Sequence, residues 1–276
     1  MNALRLSFAK FWILFISEVR FDTKAYFSFW GRYLWIFFLC LNYRFFLESA
    51  LSRAMISLGN YEMSFPLFLI SGIAVFRLVI LSIGSINETI FNLRRSGVIS
   101  WILLGPTNIY ELFFAHAIWK SFLGFTEILA AVIFSNLLIG TPIQPFFQIS
   151  SFCALLLMSF TYIGIGMSIA AVSLLLRKGD FLCLAVEQIS MVFGGMFFPI
   201  YLLPKPIVFI SQILPITHSL NIIRYSLTHI ARMPPLALFS PLIQMSLVYF
   251  VLGIFILQKS LTYAKQNGLL LNNLHE

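Results

Sequence analysis

Residues 194–224 read GGMFFPIYLLPKPIVFISQILPITHSLNIIR, and the way this stretch is broken decides the fold of the chain. Pro199, Pro204, Pro206 and Pro215 interrupt a hydrophobic run without making it polar. Each proline lacks a backbone N–H and pushes its predecessor out of the α region, so one continuous helix is forbidden. Apolar chain that is not a simple span must still satisfy its backbone polar groups. In a bilayer that is possible only against protein or beside a wet cavity. The stretch therefore predicts a pair of short re-entrant or interfacial segments over 199–230.

The composition around it sets the class. Hydrophobic residues make up 60% and charged residues 10% of the 276, with a mean hydropathy of +0.93. A soluble domain is roughly half apolar and a quarter charged, so the sequence predicts an integral membrane protein. Its 18 Lys and Arg exceed its 10 Asp and Glu, but they cluster between apolar runs. That pattern points to positive-inside topology and contact with anionic lipids, not to nucleic acid. Cys40, Cys153 and Cys183 are widely spaced in apolar runs, which suggests neither disulfides nor a zinc site.

A bilayer crossing takes roughly 20 mostly apolar residues. Six runs meet that length approximately: 26–47, 65–86, 112–138, 146–176, 181–198 and 236–257. Arg32 and Arg44 near the ends of the first can snorkel, and Arg177, Lys178, Gly179 and Asp180 make a polar turn between the fourth and fifth. In residues 1–25, Arg5, Lys10, Arg20 and Lys24 fall on one half of a helical wheel, with Leu4, Phe8, Phe11 and Phe15 opposite. An amphipathic helix on the membrane surface is expected. Glu18, Arg20, Asp22 and Lys24 stand where a signal peptide would carry its small-residue cleavage site. The expected fold is thus all-α, with six spans, an interfacial first helix and a re-entrant segment between spans five and six. Basic residues outnumber on the side of 94–95, 177–178, 259 and 265, which predicts both termini in the cytoplasm.

Two motifs resemble the permease subunits of ABC-2 type transporters, the ATP-driven exporters of polysaccharides, lipids and drugs. The first is "GG-x-F-F-P … L-P … P-x-T … R", matched by Gly194, Gly195, Phe197, Phe198, Pro199, Leu203, Pro204, Pro215, Thr217 and Arg224. The second is "G-T-L-E-x-L-L-x-x-P-x-S-x-x-E", met in the loop 87–111 by Gly97, Leu103, Leu104, Pro106 and Glu111. Ser100 replaces the family's Glu there, and Asn221 stands where a Glu often precedes the Arg by three residues. The resemblance implies that 87–111, with Glu88, Arg94, Arg95, Gly97, Pro106 and Glu111, couples to a cytoplasmic ATPase. It further implies an outer gate carrying Gly194, Gly195, Pro199, Pro204, Pro215, Thr217 and Arg224. A permease homodimer in a bacterial inner membrane would follow, with ATP and Mg bound by the partner and no cofactor on this chain. Read from residues alone, the loop is equally an ordinary cytoplasmic loop with positive-inside charges. Arg224 in turn faces either a polar substrate or a lipid phosphate.

Arg77, Lys120, Glu127 and Glu187 lie inside expected spans, where ionisable groups are expensive and face the bundle interior or a water-filled path. They are candidates for inter-helix pairs or for a polar pathway. The 31 Phe, 10 Tyr and 5 Trp suit packing and interfacial anchoring as well as the lining of a channel. No G-x-x-x-x-G-K-[ST] loop is present, so ATP is not bound by that route. His116, His218, His229 and His275 occur without metal-site spacing, and Gly164–Ser168, GIGMS, lacks the final Gly of a nucleophile elbow. Small residues in that run, continuing to Ala170 and Ala171, suit close helix approach. Two further classes remain open: a secondary transporter, which would show a matching broken helix in the first half of the chain, and an intramembrane enzyme.

Overall fold

The computed structural model describes residues 12–20, 22–23, 26–50, 55–57, 62–95, 97, 109–140, 148–176, 179–228 and 234–266. Apart from one two-stranded ribbon, the regular structure in them is helical. Residues 12–20 form α1. The long helices are α2 (Tyr26–Ala50), α3 (Phe65–Arg95), α4 (Ile109–Ile139), α5 (Ile149–Leu176) and α9 (Leu236–Gln266). Shorter ones are α6 (Gly179–Phe193), α7 (Lys205–Ile213) and α8 (Pro215–Thr228), with a single 3-10 turn at Ile200–Leu202. The ribbon pairs β1 (Met55–Ser57) with β2 (Glu62–Ser64) antiparallel, Ile56 opposite Met63, just before α3.

Among the described residues, four helical stretches are long and apolar enough to cross a membrane: Leu67–Leu93, Ile109–Leu138, Ile149–Leu175 and Leu236–Ala264. A fifth arises if α7 and α8, bent by 86° at Leu214, count as one span. The protein is thus a multi-pass membrane protein by the character of its helices. Two of the six expected spans behave differently. The run 181–198 stops early, because Gly195 takes φ +77 and ends α6 after 15 residues. At a 1.5 Å rise per residue, α6 is about 22 Å long, short of a hydrocarbon core of about 30 Å. Helix α2 has the length, but Trp30, Arg32, Tyr33, Trp35, Asn42, Tyr43 and Arg44 dilute its aliphatic residues.

Helix α3 is the axis of the bundle. Its span is 78% buried, against 17% for that of α9, and it packs on α4, α5, α6 and α8. The chain continues helical to Arg95, past the expected end at Ile86. One apolar cluster joins Phe68, Leu78 and Val79 of α3 to Met158 and Tyr162 of α5 and Ile216 and Ile223 of α8. A second, toward the other end, joins Ile86 and Ile90 to Phe113, Ala117, Ala170, Ala171 and Leu257. The bundle therefore has a Gly194 end, with the ribbon, and an Asn87 end, where α3 finishes beside the start of α6. There Asn87 Nδ2 donates to Asp180 Oδ1 at 2.8 Å.

Glycines set the closest crossings, as the small-residue run predicts. A Cβ on Gly164 of α5 would stand 2.5 Å from the Tyr249 carbonyl oxygen, and one on Gly253 of α9 would meet the backbone of Gly164. Gly166 faces the Ile83 carbonyl of α3 in the same manner. Replacing Gly253 by Leu must push α9 off α5, and overpacking of this kind costs about 1–3 kcal/mol. Gly253→Leu is expected to lower the thermal midpoint of the detergent-solubilised protein by several degrees. An unchanged midpoint would mean that the two backbones do not meet there.

Candidate functional site

The broken segment is held by one side chain. After Gly195, the carbonyls of Gly195 and Met196 have left the helical ladder inside an apolar bundle, where unmet acceptors are costly. Arg224, on α8 and 2% exposed, reaches them. Its Nη1 donates to the Gly195 oxygen at 2.8 Å, and Nη2 to the Met196 oxygen at 3.5 Å and the Phe68 oxygen at 3.2 Å. Nε donates to Ser71 Oγ at 3.4 Å, while the guanidinium lies 3.6 Å from the Phe68 ring centroid. Arg224 thus ties α8, the Gly195 break and the start of α3 together, and it points into protein. Gly72 leaves room for this, since a Cβ there would stand 2.6 Å from the Met196 oxygen.

The other signature residues shape the path into α8. Pro199 and Pro204 precede the 3-10 turn and α7 in extended conformation, and Pro215 opens α8. Gly194 and Thr217 are buried, and Thr217 Oγ1 has no hydrogen-bond partner among the described residues. Most of α8 is buried, whereas α7 is exposed along most of its length. Ser150 and Ser226 share a hydrogen bond of 2.9 Å, fixing the far end of α8 to the start of α5.

A second cluster gathers charge toward the Asn87 end. Lys120 of α4, nearly buried, approaches Glu88 Oε2 of α3 at 3.1 Å and Asp22 Oδ2 at 3.7 Å. His116, one turn earlier on α4, places Nδ1 3.0 Å from Glu18 Oε2 of α1 and Nε2 3.7 Å from Glu88 Oε2. Trp119 Nε1 donates to Asp22 Oδ2 at 2.9 Å, and Arg32 stands 3.9 Å from the same oxygen. Phe15 adds an edge-on contact to Trp119. Three carboxylates from two separate parts of the chain thus surround one helix face that carries Lys, His and an indole N–H. The effect is to fasten the N-terminal segment to α3 and α4.

A third site lies midway along α3. Arg77 Nε donates to Glu127 Oε2 of α4 at 2.7 Å, and the guanidinium stands 5.1 Å from the Trp35 ring centroid on α2. Glu127 is 1% exposed and Arg77 21% exposed at the side chain. Glu187 of α6, half-buried, is within electrostatic reach of Arg77. Glu127 Oε1 has no hydrogen-bond partner among the described residues.

Lys120, Glu127 and Arg77 thus enter pairs between elements. Lys120 and Glu127 share α4 but turn to different neighbours, Lys120 to Glu88 and Asp22, Glu127 to Arg77. Of the loop 87–111, Glu88 and Arg95 are on α3, Gly97 has φ +68 just beyond it, and Glu111 sits in the first turn of α4. A carboxylate there complements the helix dipole. Arg94 is in α3 with its side chain outside the described residues, as are Pro106, Leu103, Leu104 and Ser100. Residues Arg5, Lys10, Lys24, Leu4, Phe8 and Phe11 of the expected first helix also lie outside them, with Arg177, Lys178 and His229. Sequence reasoning passed over Glu18, Asp22, His116 and Trp119 as a group. The i, i+4 spacing of the two acids and the i, i+3 and i, i+4 spacing of His116, Trp119 and Lys120 carried the signal.

Among the described residues, no group of three or more His, Cys, Asp or Glu is placed to hold a metal ion. No protein-family model matches the sequence, and no similar sequence is found among curated proteins. The chemical reading rests on the geometry above.

Removing one member of a buried ion pair strands the other, at a cost on the order of 3 kcal/mol, while removing both relieves much of it. Glu127→Ala is expected to destabilise the protein clearly in a detergent melt, and Arg77→Ala with Glu127→Ala to recover part of that loss. Equal loss in the single and double variants would mean that the two groups do not act as a pair.

Proposed function

We propose that this chain is the membrane-embedded half of an ATP-driven exporter of the ABC-2 type. Its substrate would be amphipathic: a polysaccharide, a lipid-linked molecule or a drug-like compound. The observation that carries the reading is the broken helix itself. A 15-residue apolar helix ends at Gly194–Gly195 and its freed carbonyls are taken up by Arg224, after which two short helices turn by 86°. These are the positions at which the sequence resembles the ABC-2 signature. In this reading α2 and α6 complete six crossings with α3, α4, α5 and α9, and α7 with α8 forms the outer re-entrant gate. Both termini are cytoplasmic, in keeping with the basic residues at 94–95, 177–178, 259 and 265.

The Asn87 end then faces the cell interior. Glu88, Arg94, Arg95, Gly97, Pro106 and Glu111 belong to the region that meets a separate ATPase, which binds ATP and Mg. The sequence has no phosphate-binding loop of its own and acts as a transport subunit, not an enzyme. Because α1 is fastened to α3 and α4 through Glu18, Asp22, Glu88, His116 and Lys120, a push on the 87–111 region moves all three together. Two copies of the chain enclose the path. The partly exposed Arg77, with Glu187 within electrostatic reach, supports this, since a charge at that depth needs water or protein around it. Helix α3 is continuous over 31 residues, and among the described residues the one bent helix pair of span length is α7 with α8, so a broken counterpart of the kind a secondary transporter uses finds no support in the described first half.

Affinity purification of the tagged protein from native membranes in mild detergent tests the assignment. A roughly stoichiometric ATPase is expected to accompany it, and Arg94→Glu with Arg95→Glu is expected to release that partner. Retention of the partner by the double variant would move the contact elsewhere. A chain that purifies alone and transports in ATP-free vesicles would replace this reading with a secondary transporter.

A further inference from the structure

A groove of about 640 Å³ opens between the ends of α5 and α9 at the Asn87 end of the bundle. Its apolar wall is made by Val172 and Leu175 of α5 and Phe255 of α9. Its rim carries Lys259, Tyr263 and Gln266. Lys259 is exposed, and its Nζ lies 4.5 Å from the centroid of the Phe255 ring, which keeps the ammonium above the apolar wall. Leu175, Phe255 and Tyr263 are all exposed large side chains, and the α9 span is the least buried of the four. The groove therefore opens toward the surroundings of the bundle, not toward its core.

Two physical facts specify an occupant. Lys259 falls in the last turns of the span Leu236–Ala264, the depth at which a lysine meets the headgroup layer. Further, basic pockets between membrane helices attract anionic headgroups, at about 1 kcal/mol per cation near the surface. In the sequence Arg177 and Lys178 follow directly on α5, and Lys265 follows Lys259 on α9, with no acidic residue from 259 to 266. An ammonium poised over an aromatic ring, with an apolar trough below and a phenol and an amide beside it, matches a molecule with a negative head and hydrocarbon tails.

We propose that this groove is a binding site for one anionic phospholipid, with the phosphate at Lys259 and an acyl chain along Phe255, Val172 and Leu175. The proposal does not depend on what the protein transports. Bound there, the lipid joins the ends of α5 and α9 beyond the Ser260 hydroxyl, which already donates to the Ala171 oxygen at 2.7 Å.

Native mass spectrometry of the full-length protein in mild detergent, titrated with dioleoyl phosphatidylglycerol or dioleoyl phosphatidylcholine, tests it. One phosphatidylglycerol per chain is expected to be retained in preference to phosphatidylcholine. Lys259→Gln, a change at an exposed position, is expected to weaken that retention about fivefold. Val172→Trp, which fills the trough without changing charge, is expected to lower retention of both lipids. Equal retention of the two lipids, unchanged by either variant, would overturn the proposal. So would a Phe255→Cys protein that forms disulfide dimers in membranes and retains neither lipid, since the groove would then seat a second copy.

Discussion

A backbone carbonyl that leaves a helix inside an apolar bundle has to find a donor, and most of this architecture can be traced to how that demand is met beyond α6. Extending the helix would satisfy the carbonyls locally, but Gly195 at φ +77 and the prolines that follow prevent it. The donor is instead the Arg224 guanidinium, a planar group with several N–H bonds that can serve carbonyls from separate elements together. For it to reach them, α8 must enter the bundle, α3 must present Phe68 and Ser71, and Gly72 must give up its side chain. The bent pair of short helices follows from this arrangement. A helix of modest apolarity is buried because it delivers a cation to stranded oxygens.

The remaining charges obey a related logic at two other levels. Midway along α3, Arg77 takes Glu127 from α4 and stacks toward Trp35 of α2, so one cation touches three helices. Toward the Asn87 end, carboxylates from α1 and α3 converge on His116 and Lys120 of α4. In both places a helix face that would be costly in lipid is covered by opposite charge from a different part of the chain. The bundle is thus cross-linked by polar contacts at its middle and at both ends, with glycine-lined crossings between.

Much of this was legible in the sequence, for reasons that particular residues make clear. The aliphatic runs of α3, α4, α5 and α9 needed only length and hydropathy, and the prolines after Gly195 announced a break. The small residues around Gly164 pointed to a close crossing because nothing else explains them in an apolar helix. Legibility failed where the decisive neighbour is remote. Glu18 and Asp22 looked only like obstacles to a cleavage site, because their partners are 98 and 97 residues away, respectively. Lys120 and Glu127 could be expected to enter inter-helix pairs, but their partners, Glu88 with Asp22 and Arg77, lie too far away in the chain to be named from it. Hydropathy also overran the end of α6, since Phe197 and Phe198 are as apolar as the helix they no longer belong to. The ribbon of Met55–Ser57 with Glu62–Ser64 carries too few residues to show alternation.

The order in which the Arg224 clamp is synthesised has its own significance. The guanidinium emerges 156 residues after Phe68 and 29 after Gly195, so these acceptors are made first. Until then the Gly195 and Met196 oxygens lack the donor that serves them in the folded bundle. A chain ended between residues 196 and 224 would therefore carry the break but lack the guanidinium that serves its Gly195 and Met196 oxygens.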